Sequence, residues 1–312
     1  MSDLPPEVTV REVGPRDGLQ AEEPVPVEAR IRLIDALSGA GLTKIEAVSF
    51  VSPKAVPAMA GAAEVMAGIA RHPGIQYSAL VPNRRGAEAA VQAGAGALTA
   101  FLAASDGYNR KNVGKSVEES VADVAEVVAV GRGAGLPVEC TISSAFGDPY
   151  EGEVAPERVA EVAGWLADAG VEAFSLGDTT GMASPTRVTA VVDLLRERLP
   201  EHPLNLHLHD TRGAAMANAL AGLQAGVTEF DASIGGLGGS PFAPNAGGNL
   251  ATEDFVHLLQ DMGIGTGVDL PKLLEAAAIA QDLVGHDLWS HLPKSGPRRG
   301  GAGNPGAPER RR

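Results

Sequence analysis

The chain has 312 residues, 44% of them hydrophobic, and a net charge of −14 at neutral pH. That length suits one large domain or two ordinary ones, and no apolar run approaches the roughly 18 residues of a membrane helix. The segment Pro293–Arg312 nets +5, leaving −19 on the rest, and so acidic a body excludes nucleic acid as the main partner.

In chain order, the first β-like run is Val8–Glu12, followed by the turn Gly14-Pro15-Arg16-Asp17-Gly18 and an amphipathic stretch, Val27–Ser38. Ala40-Gly41 then precedes the run Lys44–Val48, and Gly74 precedes Gln76–Leu80. The Ala-Gly pair returns as Ala93-Gly94 before Ala97–Leu102, and as Ala134-Gly135 before Pro137–Ile142. It returns again as Ala169-Gly170 before Ala173–Leu176, and as Ala225-Gly226 before Glu229–Ala232; Pro203 precedes Leu204–Leu208. Such a pair fits a helix C-terminus, with Gly in the left-handed cap and a strand close behind. Ala-rich helical stretches fill the gaps at Val117–Gly131, Pro156–Asp168 and Pro185–Leu199, and Asp269–Gly285 reads as a terminal helix. Eight strands repeating every ~31 residues, the length of a βα unit, predict an α/β fold, a (β/α)₈ TIM barrel with a C-terminal helical extension. A doubly wound sheet would want a Gly-rich phosphate turn after its first strand, which Gly14–Gly18 is not. The expected organisation is one catalytic domain over 1–292, of the pyruvate carboxyltransferase type, and a disordered Gly-, Pro- and Arg-rich tail over 293–312.

In such a barrel the residues at the strand ends share one mouth. Strand one delivers Arg16, Asp17 and Gln20; strand two delivers Glu46, Ser49 and Lys54; strand four leads to Asn109, Arg110, Lys111 and Asn112. Strand six delivers Ser175 and Asp178, and strand eight leads to Asn249. Strand seven carries Leu206-His207-Leu208-His209-Asp210, in which alternation points both imidazoles one way and both leucines the other. Two imidazoles on one face are half of an octahedral divalent-metal site, with Asp17 an oxygen donor for the other half. The plainer reading, a strand edge with satisfied hydrogen bonds, gives way to metal when the other mouth residues are counted. Glu46 and Asp178 act on substrate or buttress those that do. The segment Gly235–Pro241, with Gly247-Gly248-Asn249, reads as a lid carrying one reactive side chain rather than a phosphate cradle, because no Gly-Lys-Ser/Thr follows.

The chain resembles the hydroxymethylglutaryl-CoA lyases from about Val8 to Val284. The resemblance rests on Glu12-Val13-Gly14-Pro15-Arg16-Asp17-Gly18-Leu19-Gln20, Ser49-Phe50-Val51-Ser52-Pro53-Lys54 and Pro149-Tyr150-Glu151-Gly152. It continues through Ser175-Leu176-Gly177-Asp178-Thr179, His207-Leu208-His209-Asp210-Thr211 and Gly248-Asn249-Leu250-Ala251-Thr252-Glu253-Asp254. The related isopropylmalate and homocitrate synthases differ at the first motif and after the histidines. The resemblance implies that Asp17, His207, His209 and Asn249 bind Mg²⁺ or Mn²⁺, that Arg16 stabilises an enolate, and that Glu46 and Asp178 line the site. It places Lys111 and Asn112 at the CoA phosphates, and implies cleavage of 3-hydroxy-3-methylglutaryl-CoA to acetyl-CoA and acetoacetate in leucine degradation. A metal polarises the hydroxyl and the nascent ketone, and a guanidinium at the thioester oxygen meets the charge that develops there. An acyl-CoA substrate, a homodimer and a place in the cytoplasm are expected. The acidic start Met1–Glu7, unlike a signal peptide, and the single cysteine, Cys140, in the apolar run Val138–Ile142, fit a reducing compartment.

One position departs from the family. Its loop reads Gly-Gly-Cys-Pro, with the cysteine transferring a proton, and here it is Gly238-Gly239-Ser240-Pro241. An unperturbed thiol titrates near 8.5, and a hydroxyl is a far weaker acid. If Ser240 holds the catalytic position, either another group carries the proton, or the 3-hydroxyacyl-CoA differs, or activity is reduced. A Claisen-type synthase joining acetyl-CoA to a 2-keto acid, and a binder of CoA esters without turnover, are the other readings.

Overall fold

Eight parallel strands pair in sequence order and close on themselves in the computed structural model, which describes residues 4–239 and 247–297. They are β1 Thr9–Glu12, β2 Lys44–Ser49, β3 Gln76–Leu80, β4 Ala97–Ala103, β5 Val138–Ser143, β6 Ala173–Asp178, β7 Leu204–Leu208 and β8 Glu229–Ala232. Pairing of β1 with β8, Arg11 beside Asp231, completes the barrel. The α/β barrel expected from the repeats is therefore the fold. Five of its punctuating glycines, Gly41, Gly94, Gly135, Gly170 and Gly226, have φ of 87°, 77°, 67°, 91° and 82°, the left-handed cap that a residue with a Cβ resists.

The outer ring is α1 Val27–Gly39, α2 Ala62–Gly68, α3 Arg84–Gln92, α4 Asp106–Val113, α5 Val117–Ala134, α6 Pro156–Asp168, α7 Pro185–Arg198 and α8 Ala215–Gln224. It is completed by α9 Thr252–Asp261 and α10 Leu270–Val284. The core lies between strands and helices, where Leu206 and Leu208 of β7 are fully buried, along with Leu33, Ile34 and Leu37 of α1. Cys140 is buried in this layer, where desolvation pushes its thiol far above the ordinary range, so it is an inert apolar side chain. No described helix is long and apolar enough to cross a membrane.

Three features differ from the sequence reading. The second, fifth and sixth strands run to Ser49, Ser143 and Asp178, past their last large apolar residues, because ladder pairing persists where side chains turn polar at the mouth, and the fourth runs one residue further to Ala103. The polar stretch after β4 is a helix, α4, despite its lack of an apolar stripe. Residues 293–297 do not belong to a shapeless tail: Leu292–Ser295 form the short helix α11, whose entry is held by the Asp254 carboxylate accepting from His291 N (2.8 Å) and Leu292 N (2.7 Å). The rest of the expected tail, 298–312, lies outside the described residues.

Candidate active site

The site begins at the end of β1, where Gly14–Gly18 form one π-helical turn closed by Gly18 N donating to the Val13 carbonyl at 3.2 Å. Glu12 anchors this turn to the far side of the barrel. Its carboxylate accepts from Gly14 N (2.6 Å), Ile234 N (2.9 Å) and the Thr252 hydroxyl (2.7 Å). Desolvation raises the Glu12 pKa to about 7 against those three donors.

The turn delivers Arg16 and Asp17, both buried, into the barrel mouth. Arg16 Nε donates to Glu46 on β2, and its Nη1 donates to Asp17 Oδ1 at 2.5 Å. Two carboxylates thus hold the guanidinium at Nε and Nη1, and among the described residues Nη2 has no protein partner. Burial alone would raise the Asp17 pKa, but Arg16, His207 and His209 hold it at about 2, so the carboxylate is ionised at any working pH.

From β7, His207 and His209 both enter the mouth, with their Nε2 atoms 3.1 Å apart and each 3.8 Å from Asp17 Oδ2. His209 Nδ1 sits 3.1 Å from the Gly247 carbonyl, which only accepts, so that nitrogen carries the proton and Nε2 the lone pair. His207 Nδ1 lies 3.0 Å from Asp231 Oδ2. Burial and the neighbouring imidazole lower His209 to about 4. The Asp231 and Asp17 carboxylates raise His207 against the effect of burial. Two lone pairs aimed at one point need a positive charge between them, a shared proton or a cation.

Asn249 reaches the same point from the segment after the Gly-rich stretch, which pairs along the end of β7 through the bridge His209–Asn249. Its amide nitrogen donates to Asp17 Oδ2 (2.7 Å) and the Leu237 carbonyl (2.9 Å), so its oxygen is the atom it would offer a cation. Gly238 faces this amide with φ at 121°, and a Cβ there would overlap Asn249 Nδ2. Asp17, His207 and His209 form a buried group of three ligand atoms within 4.8 Å of one another. Adjacent ligands in an octahedral shell with bonds of about 2.1 Å lie ~3 Å apart, so the imidazoles are already spaced for one ion and Asp17 needs a shift of under an ångström. Two imidazoles with a carboxylate and an amide oxygen make a donor set for a divalent cation.

Arg16, Asp17, His207 and His209 line a cavity together with an apolar wall of Val51, Val56, Leu80 and Phe101. Asn112 on α4 lines it too, whereas Lys111 points out to solvent with its ammonium 5.9 Å from the Tyr150 ring centre. Glu46 is reached through Arg16. Asp178 does not line the cavity: it stands opposite Leu208 in the ladder, and its Oδ1 accepts from Met182 N (2.8 Å) and Ala183 N (2.9 Å). Burial raises its pKa to about 7. Ser240 lies outside the described residues.

Sequence reasoning passed over Glu12 and Asp231. Asp231 could have been found, since alternation in Glu229-Phe230-Asp231 puts it on the interior face shared by His207, its partner across the ladder. Glu12 left no such signal, because two of its three partners, Ile234 and Thr252, lie more than 200 residues away.

A family model described as HMGL-like matches residues 7–280. The chain is 48% identical to the mitochondrial hydroxymethylglutaryl-CoA lyase of Bos taurus over 88% of this chain and 85% of that one. It is 46% identical to the hydroxymethylglutaryl-CoA lyase YngG of Bacillus subtilis over 92% and 96%. Among solved structures, an HMG-CoA lyase from Acinetobacter baumannii in complex with coenzyme A and 3-methylmalate superposes with a TM-score of 0.91 at 40% identity, over 98% of this chain and all of that one.

Proposed function

From the premise that this chain belongs to the HMGL-like family, we propose how its residues carry out the cleavage of 3-hydroxy-3-methylglutaryl-CoA. The chain is a carbon–carbon lyase whose products are acetyl-CoA and acetoacetate. The observation that carries the residue assignment is the convergence of Asp17, His207 and His209 on one point beside Arg16 in a cavity.

A divalent cation held by Asp17, His207, His209 and the Asn249 amide would polarise the tertiary hydroxyl and the ketone it becomes. The hydroxyl proton passes to a general base, the C2–C3 bond breaks, the electron pair moves onto the thioester as an enolate, and C2 of that enolate takes one proton back, so no net proton is gained or lost. Arg16 meets that charge. Its fixed geometry between Glu46 and Asp17 aims Nη2 at the developing oxyanion with no reorganisation during the step. The apolar wall takes the 3-methyl group and excludes water. Asn112 orients the pantetheine end, and Lys111 on the outer face of α4 meets the CoA phosphates in a body otherwise acidic.

The enolate must then be protonated. If Ser240 replaces the family's cysteine in that transfer, Ser240→Cys raises kcat, because a thiol titrates closer to neutral pH. The decisive assay incubates the protein with 3-hydroxy-3-methylglutaryl-CoA, with and without Mg²⁺ or Mn²⁺, and measures acetoacetate and acetyl-CoA. Metal-dependent formation of both is expected, and absence of both with either ion overturns the assignment. The synthase reading is disfavoured, since the relatives that cover the chain are lyases.

A further inference from the structure

His209 has its tautomer set by a backbone carbonyl, but His207 has only a side chain for that purpose, and that side chain belongs to an ion-pair network. Asp231 is 2% exposed. Its Oδ1 accepts from Arg11 Nε (2.6 Å) and Asn205 Nδ2 (2.7 Å), and its Oδ2 from Arg11 Nη2 (2.9 Å), with His207 Nδ1 at 3.0 Å. Arg11 is itself held from the other side by Glu139 on β5. The carboxylate is thus fixed in plane and direction before it meets the imidazole.

We propose that Asp231 is the positioning residue for His207: clamped by Arg11 and Asn205, it obliges the ring to keep its proton on Nδ1 and to turn the Nε2 lone pair toward Asp17 and His209. A carboxylate cannot donate, so the shared hydrogen must come from His207. The other ring nitrogen then faces the point where the three ligand atoms converge. A ligand imidazole held by an outer carboxylate gains both orientation and basicity, and loss of such a partner typically costs 10–100-fold in metal affinity. Asp231 therefore acts on the reaction through His207, at one remove from the substrate.

The inference rests on the metal reading of the site, and the test separates the two. Calorimetry with Mg²⁺ and Mn²⁺ alone, on wild type and Asp231→Asn, reads metal affinity. In the variant, Arg11 Nε and Asn205 still claim the single amide oxygen, so the NH₂ group takes the place of Oδ2, loses the bond from Arg11 Nη2, and faces His207 Nδ1 with the bond reversed. A 10–100-fold weaker metal constant is expected, with the metal required for half-maximal rate rising in step and KM for the thioester little changed. Ring ¹⁵N spectra of Mg²⁺-loaded wild type, which need no variant to fold, should show His207 protonated at Nδ1 and bound through Nε2. A His207 protonated at Nε2 in the loaded enzyme, or a variant whose metal constant stays within twofold, overturns the role of Asp231. Wild type that takes up neither ion overturns the metal reading itself, and the inference with it.

Discussion

Within the barrel interior, Arg11 lies between Asp231 and Glu139, and Arg16 lies between Glu46 and Asp17. The two arginines are almost equally buried and each is held by two carboxylates. Around Arg11 both oxygens of Asp231 are engaged by neighbours. Around Arg16, Glu46 Oε1 has no partner among the described residues, Asp17 and the imidazoles turn ligand atoms toward one point, and the assembly opens on a cavity. The same residue types hold the barrel together where their valences are filled. Where they are left open they are available for chemistry.

The largest break of that contrast comes from His207→Ala or His209→Ala, which removes one of the two nitrogen ligands. Bound metal and turnover should both fall to background, and full metal stoichiometry in either variant would remove that histidine from the ligand set. Next, Arg16→Met should keep the metal yet lower kcat by about 10²–10³, the usual loss of one oxyanion-stabilising donor. A change confined to KM would make Arg16 a binding residue only.

A titration sharpens the contrast further. Asp178 is raised to about 7 by burial, from an ordinary value of 3.8. Between those values the folded chain keeps a proton that the unfolded chain releases, so its contribution is full below pH ~4 and is lost as pH rises toward 7, up to about 4 kcal/mol. Denaturant midpoints for Asp178→Asn should fall less steeply with pH across that window than those of wild type. Asp17, lowered to about 2, has the opposite sign: its contribution is present above pH ~4 and is lost only as pH falls toward 2. The smallest effect is expected from Glu139→Gln, on the filled side. Arg11 keeps Asp231, so stability should drop by about 1–2 kcal/mol while kcat holds within twofold. A large kcat loss there would show the two networks to be one.

Much of this was legible beforehand. The recurring Ala-Gly pairs gave the barrel because a left-handed cap followed closely by a strand has few other uses. The alternation in Leu206-His207-Leu208-His209 gave the imidazole face because period two is a property of the extended backbone alone. Asp178 misled the eye for the same reason in reverse: it ends its strand, but its parity matches Leu208 and not His207, so it stays off the cavity wall. Lys111 sits next to a cavity residue in sequence and points the other way, because neighbours on a helix lie about 100° apart. Glu12 was hidden because its partners Ile234 and Thr252 lie more than 200 residues away, whereas the parity of Asp231 on β8 was legible and passed over.

The bond between Asn249 and Asp17 spans 232 residues of chain. Its two ends are joined again by Glu12, which bonds to both Ile234 and Thr252. No contiguous fragment shorter than that span contains the whole of the proposed ligand set, so a cation site built from it cannot precede closure of the ring. Closing so long a loop costs conformational entropy that local contacts cannot repay in advance. A cation that binds only the closed ring would draw the population toward it by mass action. During synthesis the ring must therefore stay unsealed until β8 has emerged, and metal uptake should follow only once Asn249 has emerged behind it.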